Sequence, residues 1–92
     1  MRIERIAAPE DAGDGPLVEV RSVEGGYLVS VDFSRHRSLW LGPYAEPQAA
    51  ERNGLLQAQR SAPKIVYVVN PYAGAQGLSR AVTMGGRRLS SV

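Results

Sequence analysis

Two short alternating runs flank Glu24-Gly25-Gly26, and this pattern constrains the chain more tightly than any other feature. In Leu17–Val23, Val18 and Val20 oppose Glu19 and Arg21; in residues 27–33, Tyr27, Val29, Val31 and Phe33 oppose Leu28, Ser30 and Asp32. A period of two puts each set on its own side of a pleated strand, so both runs read as half-buried β-strands. The paired glycines supply the positive-φ positions that a tight hairpin connection requires.

The polar stretch 34–37 predicts a second turn, and 38–41 a short third strand with Leu39 and Leu41 on one face and Trp40 on the other. Gly42-Pro43 marks the expected end of that strand, because Pro43 cannot donate to a ladder, while Glu46-Pro47 opens a helix. The helix is expected over 47–61, closed by Pro63, with Glu46 and Glu51 toward its start and Arg60 in its last turn, as the macrodipole favours. Ala50, Gly54 and Ala58 share one stripe. A helix lying close on a sheet explains that stripe, and so a glycine that costs about 1 kcal/mol relative to alanine in a helix interior. Ile65–Val69 is continuously β-branched and aromatic, which predicts a fourth strand buried on both faces.

The expected fold is therefore α+β: a small antiparallel sheet, made of a three-stranded meander plus a fourth strand, packed on one helix in the order β-β-β-α-β. Residues 1–16 read as a partly flexible lead-in, since 7–16 carry two prolines, two glycines and three acids without apolar period. Residues 17–70 form the single domain. Residues 71–92 read as a glycine-containing basic tail, or as a C-terminal hairpin turning at Gly85-Gly86.

Ninety-two residues close one core, and a core that small gains from association with a partner or a second copy. The absence of cysteine excludes disulfides, thiolate metal sites and cysteine nucleophiles. No run approaches the ~20 apolar residues of a membrane span, and the first residues lack a signal-peptide pattern, so the expectation is a cytoplasmic chain with no membrane partner. Charge is segregated: all nine acids lie at or before Glu51, alongside five bases, whereas the six remaining bases follow it. Ten of the eleven bases are arginine, whose planar fork suits phosphate and carboxylate.

Catalytic chemistry is poorly provided for. His36, the only histidine, lies between Arg35 and Arg37 with no local partner or nucleophile motif, and Asp11 and Asp14 lack the ordered oxygen spacing of a calcium loop. The run from Val68-Val69-Asn70-Pro71 through Gly74 to Gly77 resembles the opening motif of diacylglycerol and lipid kinases, but the fifteen residues after Gly77 are too few to complete a nucleotide site. A non-enzymatic chain without cofactor or metal is expected.

Over residues 18–58, the order strand, strand, strand, helix, with Ser38-Leu39-Trp40-Leu41-Gly42-Pro43-Tyr44 passing into Ala49-Ala50-Glu51, resembles the ethylene-response-factor type of DNA-binding domain and the arm-binding domains of phage integrases. Those families lay a three-stranded sheet on the major groove of duplex DNA. The resemblance implies that Arg21, Arg35, Arg37 and Trp40 face the nucleic acid, where Glu19 and Asp32 would share the surface. Leu41-Gly42-Pro43-Tyr44, the alanine-rich helix and residues 65–69 are also similar to half of a sporulation-related repeat, a peptidoglycan-binding domain. The functional expectation is a small binding module that takes nucleic acid on the outer face of its sheet. The alternative is a protein-interaction or inhibitory accessory protein, oligomeric or encoded by a mobile element.

Overall fold

A computed structural model describes residues 1–34 and 37–73. Strands β1 (Arg2–Arg5), β2 (Leu17–Val23), β3 (Gly26–Ser34) and β4 (Arg37–Tyr44) precede helix α1 (Pro47–Gln59), and β5 (Ile65–Val69) follows it. The alternating runs form the expected antiparallel hairpin, with Val18 opposite Val31, Val20 opposite Val29, and residues 24–25 as the turn. Strand β4 adds antiparallel to β3, completing the meander.

The sheet has five strands, in the order β1-β5-β2-β3-β4, and it is mixed where an antiparallel sheet was expected. The cause is the helix. It carries the chain back along the sheet, so β5 enters in the same direction as β2 and pairs with it in parallel, Val18 opposite Val68. The segment read as a lead-in supplies β1, which pairs in parallel with the other side of β5 through Ile3 opposite Val66 and Arg5 opposite Val68. Strand β5 is therefore internal, which suits its unbroken apolar sequence.

Strand β4 begins earlier and ends later than expected. It starts at Arg37, and it continues through Gly42-Pro43 by way of a bulge: Val29 faces Leu41 but Tyr27 faces Tyr44, so three residue steps on β4 match two on β3. Gly42 absorbs the irregularity at φ 113°, a conformation that side-chain-bearing residues rarely adopt. The helix spans the expected region but stops at Gln59, with Arg60 as its C-cap. The hairpin considered at Gly85-Gly86 lies outside the described residues.

One face of the sheet holds the core. Val18, Val20, Val29, Val31, Val66 and Val68 are buried against Ala50 and Ala58 of α1. Burial of each valine contributes about 1.5–3 kcal/mol relative to exposure. Gly54 lies between the two alanines, where an added Cβ would sit 2.7 Å from Val29 Cγ2 and 2.8 Å from Val18 Cγ1. The stripe thus brings the helix backbone down onto the central valines.

Candidate functional site on the open sheet face

The face of the sheet opposite α1 is covered over only part of its width. The segment between β1 and β2, which includes a 3-10 turn at Pro9–Asp11, crosses this face and brings Gly13 and Gly15 against Tyr67 of β5. Pro16 is buried, and its carbonyl accepts the Tyr67 amide at 2.9 Å. The other half of the face, built by β2, β3 and β4, carries an exposed aromatic.

Period-two alternation assembles this open half. Glu19 stands opposite Ser30, and Ser30 opposite Trp40, so the three share one row across the strands. Arg21 lies two residues beyond Glu19 on the same face, opposite Leu28. Its guanidinium sits 5.6 Å from the Trp40 ring centroid and donates to Glu19 Oε1 at 3.1 Å. Ser30 is 3% exposed at the centre of the row, whereas Trp40 on the edge strand is 53% exposed. A large aromatic held open beside an arginine is a costly arrangement for a chain with one tryptophan, and these two residue types dominate binding hot spots.

The four residues singled out for nucleic acid divide between locations. Arg21 and Trp40 come together. Arg37 does not join them: its guanidinium packs over the Phe33 ring at 4.9 Å, and Phe33 belongs to the apolar set on the helix side. Arg37 and Trp40 are three residues apart on one strand, which by alternation puts them on opposite faces. Arg35 and His36 lie outside the described residues. Glu19 and Asp32 do share the open face with Arg21, so the acids outnumber the base there. The Arg2–Glu4 pair at 2.7 Å on β1 is internally neutral.

Two features escaped sequence reasoning. Arg5, Glu51 and Asn70 form a hydrogen-bonded chain that links β1, α1 and the segment after β5. Tyr72 folds back so that its ring lies 5.3 Å from that of Tyr27, and its hydroxyl accepts the Ser22 amide at 3.2 Å. Both join residues far apart in the chain and leave no local signal. Among the described residues no group of three His, Cys, Asp or Glu could hold a metal ion, and no helix is long and apolar enough to cross a membrane. No protein-family model, curated protein or solved structure matches the chain.

Proposed function

We propose that this chain is a small non-enzymatic binding module that holds a protein partner on the open half of its sheet face, with Trp40 as the anchor. The observation that carries this reading is the exposed Trp40 ring with the Arg21 guanidinium over it, on a patch where Glu19 and Asp32 outnumber the arginine. Aromatic-centred patches that carry charges of both signs fit protein surfaces, where a buried Trp–Arg pair supplies most of the affinity and the rim excludes water.

A second reading, duplex nucleic acid on the same face, is favoured by the same Arg21–Trp40 pair and by the six bases after Glu51. Glu19 and Asp32 rank it second, since both carboxylates would approach phosphates.

Because Trp40 is the only tryptophan, its fluorescence reports on this face alone. The test has two arms: capture from cognate cell extract by wild type against Trp40→Ala, and a duplex-DNA titration followed by Trp40 emission. The protein reading expects a species retained in moderate salt by the wild type and lost with Trp40→Ala, and no emission change with DNA. A DNA-induced change whose affinity falls steeply and linearly with the logarithm of salt concentration would replace it with the nucleic-acid reading.

A further inference from the structure

On the helix side of the sheet, away from Trp40, a cavity of about 460 Å³ opens between the C-terminal end of α1 and the neighbouring ends of β3 and β4. Phe33 and Leu39 are partly buried and pack against the core, giving the cavity an apolar floor. Arg37 and Ser38 enter from β4, and Gln57, Arg60 and Ser61 from the end of the helix. Among the described residues no carboxylate lines it.

The state of the two arginines sets this site apart. Arg2, Arg5 and Arg21 each hold a carboxylate within 3.1 Å. Among the described residues, Arg37, Arg52 and Arg60 have no such pair, and of these Arg37 and Arg60 face the same cavity. Arg37 is held over the Phe33 ring at 4.9 Å, a cation–π contact that positions the guanidinium at the cavity. Arg60 Nη1 donates to Gln57 Oε1 at 3.2 Å, which orients the Gln57 amide and spends one of the five donors of Arg60. Two positive forks and an amide thus line an aromatic floor, with no carboxylate among the described lining residues.

We infer that this cavity binds an organic oxyanion, a phosphate monoester or carboxylate carried on a flat apolar body. The guanidinium forks take the oxyanion, for which charge-assisted, bidentate hydrogen bonds are strongest. Phe33 and Leu39 take the apolar part, and the volume falls in the range of small-molecule sites, roughly 300–1,000 Å³. Its two arginines and its Phe33–Leu39 floor are separate from Arg21 and Trp40, so it stands or falls apart from the partner-binding reading.

The test uses phenyl phosphate, benzoate and neutral benzyl alcohol as probes of the whole chain, followed by amide chemical-shift titration. Saturable shifts centred on Phe33, Ser38, Leu39 and Gln57 are expected with phenyl phosphate or benzoate; the tighter of the two identifies the headgroup. Arg37→Gln and Arg60→Gln should each weaken binding about tenfold, as expected for loss of a charged hydrogen-bond donor, while Arg52→Gln, exposed on α1 outside the cavity, should leave it unchanged. Arg37→Lys keeps the charge without the fork and should fall between. Equal shifts with benzyl alcohol, no saturable shift with either anion, or full affinity in the folded Arg37→Gln/Arg60→Gln protein would overturn the inference.

Discussion

Glu51 and Arg5 meet fork to fork across 46 residues of sequence, with Arg5 Nη1 and Nη2 donating to Glu51 Oε1 and Oε2 at 2.7 and 2.8 Å. Asn70 Nδ2 donates to the same Oε1 at 2.9 Å, while its own Oδ1 accepts the Ala73 amide at 3.3 Å. The Glu51 side chain is 13% exposed, so the pair fastens the edge strand to the helix at a partly desolvated point. The Arg5 hydrogen bonds hold the Glu51 carboxyl below its usual 4.5 against the upward push of burial, and Asn70 adds to the lowering. A depressed carboxyl stabilises the fold above its unfolded pKa, and that contribution is lost as pH falls through the folded value. Glu51→Gln should therefore cost about 1–2 kcal/mol at neutral pH, a modest loss because solvent screens the pair at Arg5, which is 59% exposed. Urea unfolding from pH 7 downward should show wild type and variant converging below about pH 4.5. A gap that stayed constant would assign the cost to packing.

Gly54→Ala sets helix propensity against packing. In an exposed helix interior the change would gain about 1 kcal/mol. Here the new methyl would meet Val29 Cγ2 at 2.7 Å and Val18 Cγ1 at 2.8 Å, and both valines are fully buried with no room to retreat. Overpacking should win, with a net loss of about 1–3 kcal/mol and a fall in Tm of several degrees. Thermal unfolding checks the sign, and a stabilised variant would mean that the helix rides higher on the sheet.

The parts of this fold legible in the sequence are those fixed by local periodicity. Alternation in 17–33 gave the hairpin, and the spacing of Ala50, Gly54 and Ala58 gave the packing face of the helix. Parallel pairing has no turn to announce it, so the direction of β5 followed only from the helix crossing, and β1 is four residues whose partner lies some sixty positions away. At the site, Arg21 and Trp40 were legible because each obeys its strand's alternation. Arg37 was misplaced because 34–37 read as a turn. Once β4 begins at Arg37, alternation alone puts it beside Leu39 on the helix side.

Gly13 and Gly15 pack against the same tyrosine yet should differ in tolerance. A Cβ on Gly13 would meet the Tyr67 hydroxyl at 2.5 Å, the far end of a half-buried side chain that can swing aside. A Cβ on Gly15 would lie 2.7 Å from the Ile65 carbonyl oxygen, which β5 holds in the sheet. Gly13→Ala should change stability by less than about 0.5 kcal/mol, and Gly15→Ala should cost about 1–2 kcal/mol. Paired denaturant melts decide it. Equal losses would show that Tyr67 is as fixed as the backbone beneath it.

Trp40 should matter little to stability and much to its fluorescence environment. Its ring is 53% exposed on an edge strand opposite Ser30, so Trp40→Ala should cost less than about 1 kcal/mol, where a core tryptophan would cost several. The Arg21 guanidinium over the ring places positive charge where a quencher must approach. Iodide should therefore quench Trp40 more efficiently than caesium at equal ionic strength. Arg21→Ala should reverse the preference, because Glu19 then loses its partner at 3.1 Å and Asp32 shares the same face. An iodide-to-caesium ratio unmoved by Arg21→Ala would show that the guanidinium leaves the ring in solution, and would remove the paired geometry on which recognition at this face depends.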